Sequence, residues 1–524
     1  MADAQSKPSD AAKGGSHSRL SQGLLFLGVF AALGAIAFTT ALGVYLAQSD
    51  VASIRGEEQH FVTGIRAIMD GLPVYEAPNK YPHMLWGYMP MFYYLTAWCV
   101  APAKASADPL LTIMQLGRTL ALALTLFHLA LFLWLVWRYF RIKLAFALIA
   151  CGIIFAIRAP WGFVVRPDPL FSFWFILAIV FVLPSLDKQR TGRYAMVYAA
   201  FAGIASSALF LTKQTGIQIP VIALSFYFLK TNWKNFAAYA SAFALPLGVA
   251  FLSFPYVLGD DWAGSMFLTN SNGVNIGNGW RKCLYPVLFR NGGLVLLAAA
   301  IPAWLAWRKR NTDPRLQFLA WATIGALGFS AMTAFMSGSA EHYFNDSMTL
   351  VLACLAVYWG GLKDRSATQS QWIAGACGAY SAVFLPVFLL YCAQPYLNMT
   401  DRLTSRKEVR AELQRRLEQH PDAAFLTVDN ALANYFPGRA VVPQFFYTGY
   451  FVNNQAVDVT SLQPYLDDGR VRWCVFGEDQ DLARQLGFLR LSAPHFKKVL
   501  ARDGFAFWEF QDPTQASVEP PQVD

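Results

Sequence analysis

The apolar residues of this chain come in long blocks separated by short polar breaks. About 20 consecutive apolar residues is what a helix rising 1.5 Å per residue needs to cross about 30 Å of hydrocarbon. Block length and the charges flanking each block predict about eleven spans. They cover residues 23–47, 111–137, 144–162, 169–186, 194–212, 215–230, 235–257, 284–307, 316–336, 347–362 and 371–395. From residue 396 the pattern changes. RKEVRAELQRRLEQH reads as a charged helix, AFLTV and RVRWCVFG as strands, EDQDLARQLGF as a helix, and FKKVLARDGFAFWEF as a closing hairpin. Residues 396–513 therefore form a small α/β domain. The polar ends, 1–22 and 514–524, are expected to be disordered.

Lys and Arg mark every second turn: Lys7, Lys13 and Arg19; Arg138, Arg141 and Lys143; Lys188, Arg190 and Arg193; Lys230 and Lys234; Arg308, Lys309, Arg310 and Arg315; Lys363 and Arg365. Basic turns stay on the cytoplasmic side, which puts the amino terminus inside and the C-terminal domain outside. The segment 84–102, MLWGYMPMFYYLTAWCVAP, breaks this alternation if counted as a span. Its Gly87, Pro90 and aromatic residues suit a helix lying in the outer leaflet, within an outer loop of residues 48–110. The alternative is a true span beside a wrongly delimited neighbour.

Composition agrees. The chain is 55% hydrophobic and 14% charged, with mean hydropathy +0.34, against about a quarter charged in soluble proteins. This is a polytopic membrane protein. The net charge of +9 is confined to the short basic turns, so it reports topology and not a nucleic-acid partner. Seven scattered cysteines with no CxxC give neither a disulfide framework nor a zinc pattern. The first apolar run is too long for a signal-peptide core and shows no cleavage site, so it reads as an uncleaved span.

Candidate chemistry gathers on the outer side. Glu57-Glu58, at the exit of the first span, offer a general base with a tuning partner; otherwise they form a solvated pair with Arg55 or Arg66. Arg166 and Asp168, in GFVVRPDPLF, face a cavity or else form a structural turn with Asp168 as a cap. Lys213 and Arg118 are lone cations at the lipid boundary, suited to gripping a phosphate or to snorkelling. Glu341, His342, Tyr343 and Asp346 form a third polar patch, read as a cavity wall without metal-ligand spacing. Asp479-Gln480-Asp481 looks like the metal motif of nucleotide-sugar transferases, but it falls in a helix of the outer domain. No P-loop, GxSxG or HExxH is present.

Taken in order, GEEQHFVTGIRAIMDGLPVY, YPHMLWGYMPMFYYLTA, Arg118 opening the next span, RPDPLFSFWFILA and FLTKQTGI resemble the GT-C superfamily of polyprenyl-phosphate-sugar-dependent glycosyltransferases. The closest likeness is to its ArnT-like and protein-mannosyltransferase-like group, glycosyltransferase family 39-type. The resemblance covers residues 20 to 350, and departs where Tyr81-Pro82-His83 replaces the family's Pro-Pro. It implies a GT-C fold in a bacterial inner membrane and an inverting hexosyl or pentosyl transfer at the periplasmic face. The donor would be a polyprenyl-phosphate-linked sugar, the acceptor a lipid, polysaccharide or protein, with no metal or other cofactor. By the same resemblance Glu57 is the base and Glu58 orients the acceptor or the donor sugar. Lys213, Arg118 and then Arg166 hold the leaving phosphate. Asp168 is structural or contacts the sugar, and His83, Tyr88, Glu341 and His342 complete the substrate-binding wall. Three rivals remain. An O-antigen ligase or polymerase would use a diphosphate-linked donor. A transporter or flippase would show internal repeats and mid-span charges. A catalytically dead scaffold would tolerate loss of Glu57 and Lys213.

Overall fold

A computed structural model describes residues 10–512, apart from 55–57, 73, 76, 78, 81–86, 188–191, 268–272, 298–299, 301–312, 337–339, 362–366, 398, 400, 444 and 454–456. The apolar blocks fold into α1 (Asp10–Gln48), α4 (Pro109–Leu133), α5 (Leu144–Gly162), α6 (Pro167–Ser185), α7 (Arg193–Thr212), α8 (Gln218–Leu229) and α9 (Trp233–Leu258). Pro314–Ala334, Asn345–Gly361 and Ala367–Leu397 follow. Among the described residues, eight helices are long and apolar enough to cross a membrane. Two further expected spans fold as shorter helices: α8, and the 17-residue Asn345–Gly361. The second part of the expected span 284–307, residues 298–299 and 301–307, lies outside the described residues. The amino-terminal expectation needs correction, because α1 is helical from Asp10 rather than from residue 23. No proline follows Pro8 to stop the helix there.

Small residues allow the close helix approaches. A Cβ on Gly28 of α1 would lie 2.6 Å from the Gly378 Cα, and one on Gly152 of α5 would lie 2.8 Å from the Ala32 Cα. Between helices in lipid, such approaches supply the dispersion contacts that water would otherwise drive. The bundle is apolar outward as well: Phe26, Phe30, Leu252 and Val383 are each about two-thirds or more exposed, which suits a lipid surround.

Bonds between helix ends sort the bundle into two faces. Glu58 bonds Val165, Lys213 bonds Asp168, and Gln214 bonds the carbonyls of Gly87 and Met266, so these ends lie together. At the opposite face, Asn235 bonds the Ser185 carbonyl and Arg315 reaches Asp187. Of the basic residues, Lys230, Lys234 and Arg315 belong to that second face.

The first face is covered by two short helices, α2 (Glu58–Met69) and α3 (Pro90–Cys99). At ten residues α3 spans about 15 Å, half of what crossing needs. It takes the place of the helix expected over 84–102. Phe61, Val62 and Ile65 of α2 pack with Phe92, Tyr93 and Ala97 of α3 in an apolar cluster of their own.

The tail folds as its pattern predicts. The charged helix is Lys407–Gln419, and the strands are β1 (Ala424–Thr427), β2 (Ala440–Val441), β3 (Val471–Gly477), β4 (Phe496–Arg502) and β5 (Phe505–Phe510). Their order is β2-β1-β3-β5-β4, with β1 parallel to β2 and β3, and with β5 antiparallel to β3 and β4. Three short helices between β1 and β3, Asn430–Tyr435, Phe445–Asn453 and Gln463–Asp467, add to the expected elements.

Candidate functional site

Four of the candidate residues meet at the first face. Asp168 Oδ1 accepts from Lys213 Nζ at 3.0 Å and lies 3.6 Å from His342 Nε2, while its Oδ2 accepts from Arg166 Nε at 3.2 Å. All are largely buried: the side chains of Arg166, Lys213 and His342 are 3%, 5% and 4% exposed. Local sequence explains the arrangement. Pro167 opens α6 at its first turn, which places Asp168 where a helix amino terminus favours a carboxylate. Lys213 caps the carboxyl end of α7, where a cation is favoured. The T-K-x-x-G turn then needs its glycine, because a Cβ on Gly216 would lie 2.7 Å from the Leu209 carbonyl group.

Aromatic rings wall the cluster. The Arg166 guanidinium lies 4.7 Å from the Trp161 ring centre and 5.2 Å from that of Phe61. Lys213 Nζ lies 4.3 Å from Tyr343 and 5.8 Å from Tyr88. Burial pulls the Lys213 ammonium down, but the adjacent Asp168 carboxylate outweighs it and leaves its pKa above the ordinary lysine value. Lys213 is therefore charged. Two cations against one carboxylate leave one net positive charge in an aromatic surround, a setting suited to an anion.

Glu58 and Arg118 do not join this cluster. Both are fully buried and bonded to one another, Nη2 to Oε2 at 2.8 Å and Nε to Oε1 at 3.0 Å. The other donors of Arg118 reach the carbonyls of Leu46, Ser49 and Val51. The Glu58 oxygens also accept from the Ile54 and Val165 amides, at 2.8 and 3.0 Å. All five guanidinium N–H groups and both carboxylate oxygens are thus occupied within the protein. This geometry sets Arg118 and Glu58 apart from the Arg166, Asp168 and Lys213 side chains with which the resemblance grouped them. The pair instead joins the end of α1, the start of α2, α4 and the turn before α6.

Glu57 and His83 lie outside the described residues. Tyr88 is half-buried beside Lys213, and its carbonyl accepts from the Tyr75 hydroxyl. Glu341, also half-buried, opens the turn that carries His342. Asp346 bonds Arg158 of α5, a residue the sequence reading passed over. Arg158 bonds Asp346 and Thr349, whereas Arg166, eight residues on, bonds Asp168. Asp261 pairs with Lys80. Asp481 caps the Leu482–Phe488 helix, the ordinary reading of the Asp-Gln-Asp triplet. Among the described residues, no three His, Cys, Asp or Glu side chains converge as a metal set.

His60 of α2 is buried close by. Desolvation, and then the Arg166 charge, depress its pKa to about 3. The folded state favours the neutral ring, so stability linked to His60 is fully present above about pH 6.5 and is lost as pH falls toward about 3. A His60→Gln variant is expected to lose less thermal stability than the parent between about pH 7 and about pH 4.5. Melting curves with identical pH dependence would contradict this.

No family model matches the chain, and no curated protein matches it in sequence. Solved structures do. The ArnT from Cupriavidus metallidurans bound to undecaprenyl phosphate superposes with a TM-score of 0.60 at 15% identity, covering 91% of this chain and 98% of that one. The same enzyme in the apo state gives 0.56 at 14% identity over the same shares. The archaeal oligosaccharyltransferase AglB from Archaeoglobus fulgidus, in complex with an inhibitory peptide and a dolichol-phosphate, gives 0.52 at 13% identity, covering 85% of this chain and 69% of its own. With eight apolar helices, two short helices over one face and a small carboxyl-terminal sheet, this chain has the GT-C fold.

Proposed function

We propose that this protein is a glycosyltransferase that moves a sugar from a polyprenyl-phosphate carrier to an acceptor at the face carrying Arg166, Asp168 and Lys213. The observation that carries this reading is the net-positive, aromatic-walled cluster on a GT-C bundle. Two of the structures it is similar to were solved with undecaprenyl phosphate and with a dolichol-phosphate. The alternation of basic turns along the sequence supports an orientation with that face outside.

In the reaction, Glu57 takes the proton from an acceptor hydroxyl or amine. The freed electron pair forms the new bond at the anomeric carbon, from the side opposite the phosphate. The carbon–oxygen bond to the phosphate breaks, and its electrons leave on prenyl phosphate with inversion. Lys213 and Arg166 meet the growing phosphate charge, so the leaving group needs no proton donor. Asp168 orients both cations. Glu58 and Arg118 tie the end of α1 to the start of α2, next in sequence to Glu57, without touching substrate.

Glu57→Gln tests the base. It is expected to lower sugar transfer about 10²–10⁴-fold while donor binding persists, whereas Glu341→Gln leaves transfer near the parent rate. Full transfer by Glu57→Gln would remove Glu57 from this role.

A further inference from the structure

We infer that the C-terminal domain is a brace that holds the chain before and after Glu57, at Asp50 and Ala52 and at Gln59, with Asn434 as its positioning residue; the inference rests on the reading of Glu57 as base. The domain grips both flanks. Upstream, the Ala52 amide donates to the Asp401 carbonyl at 3.0 Å and the Leu403 amide to the Asp50 carbonyl at 2.8 Å. The Asp50 carboxylate accepts from Arg402 and from the Thr404 hydroxyl, at 2.9 and 2.7 Å. Downstream, Asn434 Nδ2 donates to the main-chain carbonyl of Gln59 at 3.0 Å and to its Oε1 at 2.8 Å. Gln59 follows Glu58 directly, and its Nε2 turns back to the Ala52 carbonyl.

The two grips are one piece. Arg406 bonds Asp401, behind the upstream grip, at 2.6 Å. It also bonds Asp429 at 2.8 Å, and Asp429 caps the helix that carries Asn434. Residues 53–58 are therefore spanned by a continuous chain of bonds from Asp50 through 401–406 and Asp429 to Asn434 and Gln59. Asn434 and Gln59 are 2% and 4% exposed. Amides so buried are costly unless bonded, so their pairing specifies one geometry. Docking of the domain does not depend on Asn434. Arg410 pairs with Asp108 at 3.1 Å, and the Asp458 amide donates to Asn79 at 2.9 Å, both away from Gln59. Loss of Asn434 should loosen the start of α2 and leave the domain in place.

The test is Asn434→Asp in the full chain, which keeps the side-chain shape but turns an acceptor toward the Gln59 carbonyl. Two readouts are taken: hydrogen exchange of peptides spanning 53–62, and kcat and KM for a prenyl-phosphate sugar. The expected result is exchange about tenfold faster in 53–62, with β1 and β3 as protected as in the parent. The expected kcat is about 10–100-fold lower, with donor KM unchanged because Arg166 and Lys213 are untouched. Unchanged exchange would overturn the brace. Faster exchange with full kcat would overturn the positioning role and leave a purely structural contact. Should exchange rise throughout the sheet, Asn434→Ala, which buries no charge, is read in the same way. Should the parent transfer no sugar from any donor, the proposed function fails, and exchange at 53–62 still decides the brace.

Discussion

Lys213→Met is expected to lower kcat/KM for a prenyl-phosphate sugar by about 10²–10³-fold, the scale seen when a preorganised charge partner of a transition state is removed. The substitution keeps the length and apolar body of the side chain. It removes the ammonium 3.0 Å from Asp168 and 4.3 Å from the Tyr343 ring. The cluster then holds one cation against one carboxylate and loses its net positive charge. Arg166 does not compensate, because its position over Trp161 and Phe61 is fixed by its bond to Asp168. Kinetics with a short-chain donor read the effect directly, and a variant within about threefold of the parent would remove Lys213 from phosphate stabilisation.

The largest stability effect is expected at the Glu58–Arg118 pair. Glu58→Ala leaves the Arg118 guanidinium buried without its carboxylate, and Arg118→Ala does the converse. Breaking one side of a buried pair costs about 3–5 kcal/mol. Either single variant should show a large fall in melting temperature in detergent. The double variant Glu58→Leu with Arg118→Met removes both charges and should recover part of the loss. Recovery stays partial because the Ile54 and Val165 amides lose their acceptor. Additive losses in the double variant would contradict the pairing.

These two sites mark how far the sequence could be read. Lys213, Asp168 and Arg166 were visible because an ionisable side chain at the end of an apolar block stands out. Their convergence was not visible, since residues 168, 213 and 342 meet only when three helix ends are brought together. Glu58 and Arg118 stood out for the same reason, and burial then gave them a different part. Sixty residues separate this pair, and no local pattern announces that each fills the other's bonding capacity. Asn434 had no signal at all, being one amide in a soluble-looking domain, 375 residues from its partner. The tail was legible strand by strand because alternation there is strong. β2, with two residues, offers too short a pattern to detect. The short helix over the first face followed from charge alternation and from the prolines and aromatics around it. Span limits were harder, because α8 is shorter than the apolar block 215–230 that contains it and Asn345–Gly361 begins two residues before the block 347–362.

The central claim is a monophosphate-linked donor handled at the Arg166–Asp168–Lys213 face. It is tested most directly by incubating the purified protein with a panel of short-chain prenyl-phosphate sugars and a membrane-extract acceptor, and by mass spectrometry of the released lipid. The account predicts prenyl monophosphate from the parent, matched by sugar gained on the acceptor, and little from Lys213→Met. Release of a prenyl diphosphate from a diphosphate-linked donor, with no reaction of any monophosphate donor, would contradict it.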